Sequence, residues 1–248
     1  MTTLRIIGIG MGPQHVTPEA AQALRACDYV LAAQKTESPA DDGLLAVRRQ
    51  VADAYGVPLV AVPDPARDRG DHRHDPGAYP RAVADWHDAR VEAYADVLAG
   101  RPGTVAMLVW GDPSLYDSGI RIAEALVARG ALASYDVLPG ISAPQLLAAR
   151  HRLVLNDVGG AVHVTTGRRL REAVDAGLHN LVVMLNRRLE LGGLDDWSVW
   201  WGGNLGAPGE ELVAGRVGDV LPQIEVARER ARARDGWVMD LYLLRRPS

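Results

Sequence analysis

The apolar run Val105-Ala106-Met107-Leu108-Val109-Trp110 passes without a break into Gly111-Asp112-Pro113. A short continuous apolar segment bounded by turn residues reads as a strand buried on both faces, which requires helices above and below a parallel sheet. Glycine lets a backbone approach a ligand closely, and proline fixes the turn while removing one donor. Asp112 is thereby held at the carboxyl end of a strand, where open α/β sheets bind their ligands. Two readings stay open for it at this point: ligand-site acceptor, or cap of the next helix.

The first half of the chain alternates strand and helix. Leu4 to Gly10 reads as a buried strand, and Thr17-Pro18-Glu19 opens a helix with a Thr cap, a first-turn proline and an acid at the positive end. Tyr29 to Ala33 is a second strand, Leu44 to Tyr55 a helix, and Val57 to Val62 a third strand. Pro63 to Pro80 is a long polar loop rich in proline and glycine, a type often tied to function. A helix from Arg81 to Leu98, the Val105–Trp110 strand, a helix from Ile120 to Ala128 and a strand from Tyr135 to Leu138 follow. This alternation predicts an α/β domain over 1–140 with a mostly parallel sheet.

From 141 to 248 the pattern changes. A helix through Leu146–Ala149 precedes extended segments Ala161–Thr165, Asn180–Leu185, Ser198–Trp201, Glu211–Ala214 and Trp237–Leu244. One helix, Leu221 to Arg234, carries Pro222 in its first turn. Strands with so little helix between them predict a second α/β domain with a mixed sheet. The Glu225–Arg234 charge run reads as a solvated helix face.

Charge and cysteine content remove several classes. A net charge of −4 argues against nucleic acid as a partner. The single cysteine, Cys27, precludes an intramolecular disulfide and fits a reducing compartment. No apolar run reaches the length of a membrane span, and Met1-Thr2-Thr3-Leu4-Arg5 runs straight into a strand, so the expected location is the cytoplasm. Asp71-His72-Arg73-His74-Asp75 imitates metal ligation, yet it lies in a proline-rich loop without a further partner at ligand spacing. No metal is expected.

The first strand ends in Gly8-Ile9-Gly10-Met11-Gly12-Pro13. Pro13 stands where a dinucleotide fingerprint needs its third glycine, and no lysine–hydroxyl pair completes a P-loop. Together with Gly111-Asp112-Pro113 and Pro139-Gly140-Ile141-Ser142-Ala143, this makes three glycine turns at strand ends. Their order and spacing resemble the tetrapyrrole methylase family over nearly the whole chain. A narrower likeness lies in Asp85–Asp88, Leu108–Ser118, Leu155–Gly159, Val164–Arg168, Trp200–Gly202 and Gly236–Asp240.

The resemblance implies a methyltransferase that takes its methyl group from S-adenosylmethionine and acts, as a homodimer, on a tetrapyrrole. The narrower likeness implies methylation of precorrin-5 at C1, with loss of an acetyl group as acetate. By the same analogy the cofactor contacts are Gly10, Met11, Trp110, Gly111, Asp112, Leu115, Ser142, Ala143, Met184 and Leu185. Arginine forks match the carboxylates of such a substrate, which singles out Arg67, Arg69, Arg121 and Arg168. Loss of an acetyl group needs an acid or base, for which Asp64, His87, Tyr116 and Asp117 are the candidates. Of the six tryptophans, most are expected in the core.

Overall fold

Leu4 and Ile6 face one layer of side chains, Ile7 and Ile9 the opposite one, and all four are fully buried. Side chains of a strand alternate between faces, so this pattern needs cover on both. The computed structural model, described for residues 1–35, 42–66 and 78–247, divides into two units, Met1–Ile141 and Ser142–Ser248.

In the first unit the elements are β1 (Thr3–Gly8), α1 (Pro18–Arg25), β2 (Tyr29–Gln34), α2 (Gly43–Ala54), β3 (Leu59–Pro63), α3 (Ala78–Gly100), β4 (Thr104–Val109), α4 (Gly119–Ala128) and β5 (Ser134–Leu138). The five strands pair in the order β3-β2-β4-β1-β5, all parallel. Val91, Tyr94 and Leu98 of α3, with Ile122 and Leu126 of α4, pack on Leu4, Ile6, Val105 and Met107. Ala20 and Leu24 of α1, with Val51 of α2, cover Ile7, Val30, Ala106 and Leu108 on the other face. Each large apolar side chain so buried contributes about 1.5–3 kcal/mol, so the sheet is held from both sides.

From β1 the chain crosses to β2, and from β4 it crosses the other way to β5. Adjacent β1 and β4 therefore form the switch point at which parallel sheets open a crevice beyond their carboxyl ends. The register pairs Gly8 with Val109, which starts the Gly8–Gly12 and Gly111–Pro113 turns level with each other.

The second unit holds α5 (Ala143–His151), β6 (His163–Thr166), α6 (Leu170–Asp175), β7 (Asn180–Met184), β8 (Ser198–Gly203), β9 (Glu211–Arg216), α7 (Val217–Asp235) and β10 (Asp240–Arg245). Its sheet is mixed, in the order β6-β7-β10-β8-β9, with only β6 and β7 parallel.

Three expectations need correction. Helix α3 begins at Ala78, inside the expected Pro63–Pro80 loop. Helix α7 begins at Val217, so Pro222 lies beyond its first turn. There the Val217 amide donates to Trp197 and the Gly218 amide to Asp195, anchoring a turn that precedes the proline. Finally, only Trp197 and Trp201 are buried; the other four tryptophans are half-buried. Among the described residues no helix is long and apolar enough to cross a membrane.

Candidate active site

Beyond the switch point the glycine turns are bound to each other. The Gly111 amide donates to the Gly10 carbonyl at 2.7 Å, and the Gly10 amide donates back to Gly111 at 3.2 Å. Both residues adopt left-handed angles, with φ of 64° and 82°. A side chain at Gly111 would meet only the Met11 sulfur, at 3.7 Å, so conformation rather than crowding favours glycine there.

Gly140 is under a different constraint. A β-carbon there would strike the Gly111 carbonyl oxygen and lie 2.8 Å from the Gly8 carbonyl carbon. Three backbones meet at a spot with no room for a side chain.

Asp112 ties the turns together. One carboxylate oxygen accepts the Gly140 amide at 2.9 Å; the other accepts the Ser114 amide at 2.9 Å and its hydroxyl at 2.5 Å. Partial burial raises the carboxyl pKa, but the Ser114 hydroxyl, the Gly140 amide and the Ser114 amide outweigh it, and the net shift is downward. The helix that follows begins at Gly119 after Ser118, so Asp112 is not its cap. Beside it, Trp110 is half-buried, and its indole Nε1 has no hydrogen-bond partner among the described residues. Met11 is buried and Leu115 half-buried.

The four proton-transfer candidates differ in their surroundings. Asp64 is held by Arg90 through three contacts of 2.6–2.8 Å, and both side chains are 10% exposed. Asp117 accepts the Gly119 amide at 2.6 Å and stabilises the start of α4. His87 stands half-buried on α3, edge-on to Trp86 at 5.0 Å. Tyr116 is 45% exposed, on a backbone with φ of 52°. Among the substrate candidates, Arg121 donates to the Asp117 carbonyl at 3.1 Å and Arg168 is exposed in a single turn after β6. Arg67, Arg69 and the Asp71–Asp75 cluster lie outside the described residues.

In the second unit, Ser142 caps α5. Its hydroxyl accepts from Gln145, whose side-chain oxygen accepts the Ser142 amide at 2.8 Å, with Ala143 as the first helical residue. Met184 ends β7 half-buried, and Leu185 follows with φ of 56° and 58% exposure. An exposed leucine in a left-handed conformation is strained, and strain of this kind persists only where neighbours enforce it.

The neighbours are buried and polar. The Asn186 amide donates to the Asp240 carbonyl at 3.1 Å, and Arg228 donates to the Asn186 and Arg187 carbonyls at 2.8 and 3.1 Å. Arg228 also meets Asp240 at 3.0 Å, with side chains 11% and 0% exposed, while the Trp201 indole donates to the same oxygen. Desolvation pushes the Asp240 carboxyl above its usual range, against the pull of Arg228. This corrects the reading of the Glu225–Arg234 run as solvated throughout, since Arg228 points inward.

The profile of the Tetrapyrrole (Corrin/Porphyrin) Methylases matches residues 3–221. The chain belongs to this family. Among curated methylases it is 41% identical to a precorrin-6A synthase [deacetylating] from Sinorhizobium sp, over 99% of this chain and 96% of that one. A precorrin-2 C(20)-methyltransferase from the same genus is 34% identical over 56% of this chain and 54% of its own length. Among solved structures, a cobalamin synthesis related protein (CobF) from Corynebacterium diphtheriae is 35% identical, with a TM-score of 0.83 and full coverage of both chains. A uroporphyrin-III C-methyl transferase from Thermus thermophilus, complexed with S-adenyl homocysteine, shares the methylase fold at 19% identity, with a TM-score of 0.60 over 98% of this chain and 96% of that one.

Sequence reading picked out Gly10, Gly111 and Asp112, which the fold brings together. It missed Asn186, Arg228 and Asp240, because a buried arginine inside a charged helix looks like its solvated neighbours.

Proposed function

We propose that this methylase transfers a methyl group from S-adenosylmethionine to C1 of precorrin-5, with loss of the acetyl group as acetate, giving precorrin-6A. The observation that carries this reading is the 41% identity to a precorrin-6A synthase [deacetylating] along 99% of the chain. The family likeness also supports a homodimer acting in the cytoplasm.

The cofactor, when bound, supplies an electrophilic methyl group on a sulfonium sulfur. The residues present suit it. The left-handed Gly10 and Gly111 carry no side chain to crowd a bulky zwitterion, and among the described residues no group accepts from the Trp110 indole. Asp112 holds the second and third turns at fixed separation, a positioning task worth more to catalysis than one further contact. We assign the same cofactor to Met11 and Leu115 in the first unit. In the second we assign it to Met184 and Leu185, with Ser142 and Ala143 acting at the start of α5. Asp64, His87, Tyr116 and Asp117 are the candidates for moving a proton. Arg67, Arg69, Arg121 and Arg168 remain candidates for the substrate's carboxylates.

Incubation with precorrin-5 and S-adenosylmethionine, followed by mass analysis, tests the reading. One methyl gained and one acetyl lost is the expected result. A methyl gained with the acetyl retained would point to another ring position, and an unchanged mass would overturn methyl transfer to this substrate.

A further inference from the structure

Charged side chains gather beyond the carboxyl ends of β2, β3 and β4, and most of them are committed. Asp64 holds Arg90, which also lies over the Trp86 ring at 3.9 Å. Asp42 caps α2 by accepting the Leu45 amide at 3.0 Å, and its other oxygen accepts the Lys35 amide at 2.8 Å. Asp117 is taken by the Gly119 amide.

Among the described residues of this group, two cations are left over. Arg48 reaches from α2 and donates through Nε to the Leu108 carbonyl at 2.8 Å, three residues before Gly111. Among the described residues its two terminal nitrogens have no hydrogen-bond acceptor. Asp117 and Asp42 act on it only through space, and desolvation, the largest influence, draws its pKa down. Lys35 follows β2 on the same side, its backbone tied to the cap of the helix that carries Arg48; its residue is exposed, and its pKa is drawn down by desolvation and then by the Arg48 charge.

A half-buried guanidinium with an open fork, beside a second cation, is unfavourable unless an anion shares the site. The fork fits a carboxylate through two parallel hydrogen bonds, and an ammonium adds charge without fixed direction. We propose that Arg48 and Lys35 form a carboxylate-binding site at the ligand face of the first unit. The inference rests on the tetrapyrrole reading, since such macrocycles carry carboxylate side chains. The cofactor offers a carboxylate too, at its amino-acid end, so the test separates the two sources.

The probes are uroporphyrin, an octacarboxylate macrocycle, read by fluorescence quenching, and S-adenosylhomocysteine, read by calorimetry. Binding of neither by the unaltered protein would overturn the tetrapyrrole reading itself. Given wild-type binding, Arg48→Met is expected to weaken uroporphyrin at least tenfold and leave S-adenosylhomocysteine unchanged, with Arg48→Lys in between. Lys35→Met, at an exposed position that the fold does not need, is expected to weaken uroporphyrin about threefold and decides the matter if Arg48→Met does not fold. A loss confined to S-adenosylhomocysteine would keep the site and make the cofactor its ligand. Unchanged affinity for both probes in folded variants would overturn the proposal.

Discussion

The Asp112 carboxylate accepts the Gly140 amide at 2.9 Å across 28 residues of sequence. With Ser114 on its other oxygen, this side chain links the turn after β4 to the turn after β5. Asp112→Ala is expected to cost roughly 2 kcal/mol, the scale of hydrogen bonds to a charged group, and to weaken S-adenosylhomocysteine at least tenfold. Asp112→Asn should lose less of both. The pH dependence follows from the lowered carboxyl pKa. The stability Asp112 contributes is complete above its unfolded value near 3.8 and is lost as pH falls through the lower folded value. Denaturation at neutral and strongly acidic pH should show wild type and Asp112→Asn converging only in acid.

Gly111 and Gly140 should respond differently to the same substitution. Gly111→Ala has open space and meets chiefly the cost of a left-handed conformation, about 1–2 kcal/mol. Gly140→Ala drives a methyl group into the Gly111 and Gly8 backbones and should destabilise considerably more. Equal melting temperatures for the two variants would contradict the three-backbone contact.

Asp64 is expected to matter more for folding than for chemistry. Replacing it with asparagine breaks the charge pair with Arg90, and a stability loss of about 1–3 kcal/mol should accompany a change in kcat of less than about threefold. A fall in kcat of roughly a hundredfold or more would mark Asp64 as a proton-transfer group instead.

How much of this could be read from the chain depended on range. Gly-Asp-Pro after an apolar run announced a parallel strand with a ligand-facing turn, because buried strands and glycine turns are written in consecutive residues. The partners of that turn were not legible. That Asp112 would reach Gly140, or Arg228 reach Asp240, depends on which strands become neighbours, and no local pattern encodes that. The start of α7 was missed because the fixed angle of Pro222 imitates a first turn, while the actual anchors, Trp197 and Asp195, come from another part of the chain.

Arg228 and Asp240 supply a test of the support beneath Leu185. Arg228→Met leaves a buried carboxylate without its cation and is expected to cost about 3–5 kcal/mol. Pairing it with Asp240→Leu should restore much of that stability in chemical denaturation. The double variant should still bind S-adenosylhomocysteine more weakly, because the Asn186 and Arg187 carbonyls have lost their donor.

Cys27 offers a simple probe of the first unit. Burial, ahead of the opposing pull of Arg5, pushes its thiol up to about 11, and the sulfur donates to the Ala23 carbonyl at 3.2 Å. Thiolate is the reactive form, so iodoacetamide should label the folded protein negligibly at pH 8 and rapidly in denaturant. Rapid labelling of the native state would contradict the packing of α1 on the sheet.

The central place of β1 bears on how the protein is born. Thr3–Gly8 leaves the ribosome well before both of its neighbours, β4 and β5, which begin only at Thr104 and Ser134. At about 5–20 residues per second of synthesis, a strand with two apolar faces waits on the order of 5–20 s for its first partner. The nascent chain during that interval is a natural client for a chaperone, and slower translation through the α3 region would lengthen its exposure.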